Sequence, residues 1–234
     1  MNVLAIGCHP DDIEINCVGT LIKCVKRGDN VTVCHVCNGN LGHAIIQPDE
    51  LRDIRAEEAR KAGSMAGIKV VTCDIGDVLA NSADREQIDK VVDIIREADP
   101  DFIITHAPND YMPDHVAVSR LVFDASFAAS VPHYKTKVDK VTKVTPIFYM
   151  DNLGGLDFIP TEYVDVTDEI DLKLEMLECH ESQLKWMRDH DHLDFADFVK
   201  TCARYRGYQC NSEYAEGFKQ CLVYPKILPK RLLP

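Results

Sequence analysis

The stretch VLAIGCHPDDIE (residues 3–14) places a run of apolar residues directly before a histidine and three carboxylates. Its first four residues predict a short buried strand. In open α/β sheets, ligands bind beyond the carboxyl ends of the strands. The polar group that follows, from His9 to Glu14, therefore marks a candidate site at the end of the first core strand.

Strand-like runs alternate with amphipathic stretches through the first 150 residues. The predicted strands are Asn2–Cys8, Asn30–Cys37, Lys69–Asp74, Asp101–His106 and Pro146–Met150, and the predicted helices cover about 12–28, 49–67, 84–98 and 114–130. Near-continuous Val/Ile strands separated by helices predict an α/β fold with a Rossmann-like, mostly parallel sheet covered by helices on both faces.

Residues 151–234 have a different pattern, although no linker separates them from the core at 1–150. A short strand in TEYVDV (161–166) is followed by a long polar helix at about 168–190 and a helical stretch near 194–206. We expect one domain, 1–234, in which this extension completes the pocket.

The formal net charge of the 234 residues is −12, and Lys and Arg form no cluster beyond isolated pairs. This charge disfavours nucleic acid and anionic membranes as partners. No apolar run approaches the roughly 20 residues that a membrane span needs, and the N-terminus lacks the pattern of a secretory signal. The expected location is the cytoplasm.

Six of the ten cysteines fall inside apolar strand or helix patterns: Cys8, Cys17, Cys24, Cys34, Cys73 and Cys179. This placement, with no signal peptide, predicts reduced thiols. Cys34 and Cys37 have the spacing of a zinc or redox motif, but they lie in a predicted strand, where residues three apart point to opposite faces. A metal site built on cysteine is therefore disfavoured.

The cluster after the first strand has two interpretations from the residues alone. Asp11 and Glu14 match a capping box for a helix that begins near Ile13. A cap does not explain His9, nor two adjacent aspartates, since like charges repel unless a positive charge offsets them. An imidazole beside carboxylates suits a metal ion, whereas the missing G-x-G-x-x-G spacing disfavours a dinucleotide.

A second polar cluster, THAPNDYMPDHVAVSRL (105–121), follows the predicted strand Asp101–His106. His115 lies at the start of the next helix, with Asp114 as a candidate N-cap. Two strands of one parallel sheet thus deliver His and Asp side chains to the same edge. Three ligands of this kind with an open fourth position are what a catalytic zinc needs.

Both clusters resemble motifs of the PIG-L (LmbE-like) zinc deacetylases. HPDDIE at 9–14 matches that family's H-P-D-D-x-E signature, and PNDYMPDH at 108–115 is similar to its second motif. Supporting matches follow in the family's order: Gly19-Thr20-Leu21, Asn38-Gly39, Arg55-x-x-Glu58-Ala59, His180-x-Ser182-Gln183 and Tyr214-Ala215-Glu216-Gly217-Phe218. The resemblance covers nearly the whole chain.

The resemblance implies that His9, Asp12 and His115 bind Zn²⁺, or another divalent metal such as Fe²⁺, and that Asp11 is the general base. It also places Asp114 beside the ligands as a supporting residue. The implied reaction is hydrolysis of a linear amide, with removal of an acetyl group from an N-acetyl amino sugar or its glycoside. Many relatives form trimers or hexamers, so a homo-oligomer is expected.

Two further residues carry different expectations from their local sequence and from the resemblance. Arg55 lies in a predicted helix, where an exposed salt bridge to Asp53 or Glu58 is the simplest interpretation. His180 lies on a polar helix and would by default be solvated. The resemblance implies instead that Arg55 and His180 contact the substrate.

One position departs from the family. Many members have a histidine three residues before the last ligand, and here that residue is Met112, which cannot transfer a proton. Asp11 could act as both base and acid, or His106, Tyr111 or His180 could substitute. Alternative functions are cleavage of a non-sugar amide, such as a thiol conjugate or an acylated metabolite, and metal or sugar binding without catalysis.

Overall fold

Five parallel strands form the centre of the structure, a computed structural model that describes residues 1–227 and 231–234. They are β1 (Asn2–Gly7), β2 (Asn30–Cys37), β3 (Lys69–Ile75), β4 (Phe102–Thr105) and β5 (Ile147–Met150), each within two residues of its predicted bounds. The spatial order is β3-β2-β1-β4-β5. Because β1 pairs with β2 on one side and β4 on the other, the strand order reverses beside β1, and a crevice opens there.

Helices cover both faces of this sheet, as predicted. In the core these are α1 (Asp12–Asn16), α2 (Val18–Lys26), α3 (Pro48–Met65), α4 (Arg85–Ala98) and α5 (Pro113–Ala128). Alternate β1 residues pack into two apolar clusters, Val3 with α2 and Leu4 with α4 and α5. Each buried side chain of this size stabilises the fold by about 1.5–3 kcal/mol. The single helix predicted over 12–28 is instead two, because Cys17 leaves helical geometry at φ −150°.

The C-terminal extension adds two strands to the same sheet. It contains β6 (Glu162–Asp165), α6 (Ile170–Glu178), α7 (Glu181–Asp191), α8 (Phe195–Cys210) and β7 (Ala215–Gln220). β7 was not predicted; it pairs antiparallel with both β5 and β6, so extension and core form one seven-stranded sheet. The long polar helix predicted over 168–190 is also wrong, because α6 ends before Cys179 and α7 begins after His180.

The thiols in the described part of the chain are free, and most are buried. The prediction that Cys34 and Cys37 point to opposite faces is wrong. The pairing of β2 with β3 shifts register between His35 and Cys37, and both cysteines pack into the same apolar cluster. Across residues 1–227 and 231–234, no helix combines the length and apolar character that a membrane crossing requires.

Candidate active site

The two polar clusters meet where β1 and β4 end. The turn after β1 carries Asp11 at φ 115°, a conformation rare for a residue with a side chain. It folds Asp12 back onto the strand end, where its Oδ2 accepts hydrogen bonds from the backbone amides of Cys8 (3.1 Å) and His9 (2.6 Å). The capping-box interpretation is wrong, since Asp11 makes no side-chain cap on α1 and Glu14 is buried elsewhere.

His9, Asp12 and His115 form a compact donor cluster. The Asp12 carboxylate lies between the two imidazoles, 3.4 Å from His115 Nε2 and 3.7 Å from His9 Nδ1. Ligands of a tetrahedral zinc lie about 3.3–3.8 Å apart, given bond lengths of about 2.0–2.3 Å. Both ring nitrogens of His115 are buried; Nδ1 lies against the Asp110 carboxylate, and Nε2 has no hydrogen bond from the described residues. Unpaired donors at this spacing fit a divalent cation.

The charges of this cluster favour a positive charge at its centre. Burial lowers the pKa of His115, but the carboxylates of Asp12 and Asp110 outweigh burial and raise that pKa to about 10. Burial opposes ionisation of Asp12, yet His115 and His106 hold its pKa well below the usual range. A divalent cation bound among these groups would supply the same positive charge.

Asp11 pairs with Arg55 beside this cluster. Its carboxylate is buried and lies 3.2 Å from Arg55 Nη2, and the guanidinium also donates to the carbonyls of Pro10 and Gly39. Burial raises the pKa of Asp11 to about 6, partly offset by the charge of Arg55. The exposed salt bridge expected from local sequence is wrong, because Arg55 is only 3% exposed and lines the cavity.

Carboxylates lie on the outer sides of the His9 and His115 rings. Asp114 Oδ2 lies 3.4 Å from His9 Nε2 and accepts a 2.7 Å hydrogen bond from the Val78 backbone. Asp110 Oδ2 lies 3.2 Å from His115 Nδ1. Metal-binding histidines commonly pair their second nitrogen with a carboxylate, which fixes the ring. Asp114 does not occupy the N-cap of α5, since Met112 does.

Asp77 is a supporting residue that the sequence reasoning missed. Its Oδ1 lies 3.8 Å from His9 Nε2, and its carboxylate accepts hydrogen bonds from the backbone amides of Gly39 (2.8 Å) and Leu41 (2.9 Å). It therefore ties the loop after β2 to the ligand cluster. Asp77 comes two residues after β3 ends, and this position at the same sheet edge was the available signal.

His180 does not lie where the resemblance implied. It is 0% exposed, is absent from the cavity wall, and has Nε2 3.4 Å from Glu14 Oε2. Burial lowers the pKa of His180, and the Glu14 carboxylate outweighs it and raises that pKa. The predicted substrate contact is therefore wrong: His180 pairs with Glu14, and its charge lowers the pKa of Asp11.

The cluster forms the floor of a cavity of about 410 Å³. Its walls are largely apolar and include Ile15, Leu41, Val78, Met112, Pro113, Leu153, Met187 and Phe195. Three of these come from the C-terminal extension, which completes the pocket. Tyr111 also lines the cavity, whereas His106 does not and is stacked on the His115 ring at 4.0 Å.

Comparison with known proteins gives one family and several whole-length relatives. A family model described as "PIG-L: GlcNAc-PI de-N-acetylase" matches residues 4–126. Diacetylchitobiose deacetylase of Thermococcus kodakarensis is 27% identical, covering 93% of this chain and 82% of its own. 4-Oxalmesaconate hydratase of Pseudomonas putida is 24% identical, covering 97% and 90%. The structure of N,N'-diacetylchitobiose deacetylase from Pyrococcus horikoshii, 24% identical, superposes with a TM-score of 0.81 over 93% of this chain and 82% of its own.

Proposed function

The chain belongs to the PIG-L family, and from this membership and the cavity floor we propose that it is a metal-dependent N-deacetylase. The proposed substrate is an N-acetylated small molecule, with an N-acetyl amino sugar or its glycoside as the first choice, because relatives carry such names. The observation that carries the proposal is the convergence of His9, Asp12 and His115 beside Asp11 in one cavity.

His9, Asp12 and His115 would hold the cation, with Zn²⁺ as the first choice and Fe²⁺ as the alternative. Their spacing and the unpaired Nε2 of His115 support this assignment. When bound, the cation supplies Lewis acidity to an amide carbonyl and lowers the pKa of water. Asp114 and Asp110 hold the two imidazole rings so that one nitrogen of each remains free for the metal.

Asp11 is proposed as the general base. A carboxyl with a pKa of about 6 is mostly ionised at neutral pH yet basic enough to accept a proton. Arg55 fixes its position through Oδ2 at 3.2 Å. As water adds to the amide carbonyl, its proton passes to Asp11. The C–N bond then breaks, giving acetate and an amine.

The amine needs a proton that Met112 cannot supply. We propose that protonated Asp11 returns it, since burial makes this carboxyl a usable acid. The sequence suggested His106, Tyr111 and His180 as alternative proton donors, and of these three Tyr111 lines the cavity. Burial raises the pKa of its hydroxyl to about 12, so the hydroxyl remains protonated at neutral pH and can donate a hydrogen bond to the substrate oxygen.

A second candidate is hydration of an unsaturated carboxylic acid. It is favoured by the whole-length match to 4-oxalmesaconate hydratase, which leaves little of either chain uncovered. Asp11 could again deprotonate the attacking water, while the buried guanidinium of Arg55 on the cavity wall could attract a carboxylate.

Acetate release tests the proposal directly. The protein is incubated with N-acetylglucosamine, N,N'-diacetylchitobiose and the inositol and malate glycosides of N-acetylglucosamine, with and without a chelator. We expect chelator-sensitive acetate release from at least one compound. The hydratase is tested in parallel by loss of the ultraviolet absorbance of 4-oxalmesaconate. No acetate from any compound, at full metal loading, would overturn the deacetylase proposal.

We also propose that the chain forms a homo-oligomer, a trimer or a hexamer. Large apolar side chains on the surface support this, among them Ile45 (77% exposed), Ile159 (76%) and Leu156 (75%). Sedimentation velocity measures the assembly, and a monomer at micromolar concentration would contradict it.

A further inference from the structure

A second set of metal-binding side chains lies on the outer side of His9. Cys8 Sγ is 3.6 Å and Asp114 Oδ2 is 3.4 Å from His9 Nε2. One donor atom from each of Cys8, His9, Cys37 and Asp114 lies within 4.8 Å of all the others. We call these four residues the thiol cluster.

The fold brings the two thiols together. The backbone amide of Cys37 donates a 2.8 Å hydrogen bond to the carbonyl of Cys8, where β1 and β2 end side by side. The register shift after His35 then places the Cys37 side chain on the same face of the sheet as Cys8. The sequence expectation of no cysteine-based metal site depended on regular alternation, which this shift breaks.

Two separations within the thiol cluster match those of a tetrahedral metal site. Ligands bound to zinc by bonds of about 2.0–2.3 Å lie about 3.3–3.8 Å apart. The measured separations of 3.4 Å and 3.6 Å from His9 Nε2 both fall in this range. His9 and Asp114 line the cavity, so an ion can enter from solvent.

We propose that the thiol cluster binds a thiophilic divalent cation, such as Cd²⁺ or Zn²⁺ in excess. Two thiolates, one imidazole and one carboxylate are a ligand set for soft or borderline metals. The positive charge of the ion stabilises the two thiolates, which burial alone would disfavour.

Occupation of the thiol cluster inhibits the proposed deacetylase, and this consequence rests on the proposed function. A neutral imidazole has one lone pair for a metal. His9 Nδ1 faces Asp12, and Nε2 faces the thiol cluster. A cation on Nε2 would leave the imidazole proton on Nδ1, and the two thiols would give up their protons to solvent. His9 is then lost as a ligand on the Asp12 side.

The chain offers a matched control in another buried pair of thiols. Cys34 Sγ and Cys73 Sγ are 3.9 Å apart in the same apolar cluster as Cys8 and Cys37. Neither belongs to a metal-binding group among the described residues. Replacing Cys34 therefore removes a buried thiol without changing the thiol cluster.

Cadmium titration of the zinc-loaded protein tests the proposal. The protein is kept reduced with a phosphine, which excludes a disulfide. We expect one Cd²⁺ bound per chain, an ultraviolet thiolate-to-cadmium charge-transfer band, and loss of acetate release in parallel. Bound metals are counted by elemental analysis, and each rate is normalised to the same protein without cadmium.

Cys37→Ser should lose the charge-transfer band and weaken cadmium inhibition by at least about 100-fold, since removing even a group behind a ligand costs about 10–100-fold in metal affinity. Cys8→Ala should behave alike, whereas Cys34→Ser should retain the band. Absence of the band from the wild type, or its survival in Cys37→Ser, would overturn the proposal. The band and the metal count do not depend on turnover, so cadmium binding to the thiol cluster can be measured even if no acetate release is detected.

Discussion

Two buried groups of charged side chains in this molecule differ in how completely they are paired. The catalytic cluster consists of His9, Asp11, Asp12 and His115, and the C-terminal network consists of Lys173, Glu216, Asp151 and Arg206. In the network, Glu216 accepts hydrogen bonds from Lys173 Nζ (2.6 Å) and from the backbone amides of Gly19 (2.9 Å) and Thr20 (2.7 Å).

Arg206 is equally well paired. It donates to both carboxylate oxygens of Asp151, at 2.6 and 3.1 Å, and to the carbonyls of Gly155 (3.3 Å) and Phe158 (3.1 Å). In contrast, Nε2 of His115 and Nε of Arg55 lack hydrogen bonds from the described residues.

The difference separates charges that stabilise the fold from charges that act on a ligand. An unpaired buried polar atom costs about 1–3 kcal/mol, and the left-handed backbone of Asp11 adds a cost of similar order. A protein keeps such unpaired or strained groups where a bound ligand or a reaction uses them. In the C-terminal network, both carboxylate oxygens of Glu216 accept hydrogen bonds. These hydrogen bonds connect α2, α6 and β7.

The largest expected effect is in the catalytic cluster. Asp11→Ala should keep its metal and lower turnover by about 10²–10⁴-fold, because it removes a general base but no ligand. His115→Ala should lose both metal and turnover. Elemental analysis and acetate release on the two variants measure this contrast. Turnover at the wild-type rate in Asp11→Ala would show that the catalytic assignment is wrong.

In the C-terminal network, we expect a substitution to lower the stability of the fold without lowering turnover. Glu216→Gln should lower the free energy of unfolding by about 3–5 kcal/mol, because it leaves Lys173 as an uncompensated buried charge. The folded fraction should keep its turnover. Urea unfolding measures the loss, and Glu86→Gln, at an 83% exposed side chain, is the control, with a change within about 0.5 kcal/mol.

Adding Lys173→Met to Glu216→Gln should recover part of that stability, since the pair is then removed together. No recovery in the double variant would mean that Glu216 acts through the backbone amides of Gly19 and Thr20 rather than through Lys173.

The sheet and the ligand cluster could be predicted because their signals are local. The parallel strands are near-continuous apolar runs, and parallel strands end at one edge, so His9 and His115 were expected to approach each other. β7 gave no such signal, because AEGFKQ contains charges and a glycine and becomes a strand only by pairing with β5 and β6.

The partners of Asp11 and Glu14 could not be predicted, because they come from distant segments. Arg55 is 44 residues from Asp11, and His180 joins Glu14 from the break between α6 and α7. Sequence spacing within one helix suggested a cap and an exposed salt bridge. In the folded protein, these residues instead form the buried pairs Arg55–Asp11 and His180–Glu14.

A smaller effect is expected on the cavity wall. Tyr111→Phe should lower kcat/KM by roughly tenfold, the equivalent of one lost hydrogen bond of about 1.4 kcal/mol. Met112→His in the Tyr111→Phe background should restore part of it, since an imidazole can donate where methionine cannot. Unchanged kinetics in Tyr111→Phe would show that its hydroxyl does not donate a hydrogen bond to the substrate oxygen.

The smallest expected effect is on a paired carboxylate near the surface, far from the cavity. Asp29 accepts hydrogen bonds from the N-terminal ammonium and Arg27, both at 2.8 Å. Burial opposes its ionisation, but these partners outweigh burial and lower its pKa. A carboxyl with a lowered folded-state pKa stabilises the protein above its unfolded value of about 3.9, and this contribution is lost as the pH falls through the folded-state pKa.

Asp29→Asn should therefore lower the free energy of unfolding by about 0.5–1 kcal/mol at pH 7. The difference from the wild type should shrink as the pH falls below about 4. Urea unfolding of both proteins across this range measures it, with Asp53→Asn as the control at an 81% exposed side chain. If the difference is the same at every pH, Asp29 stabilises the fold through hydrogen bonds that an amide can also accept. Its charge would then contribute nothing, and complete hydrogen bonding alone would distinguish the stabilising carboxylates from those of the catalytic cluster.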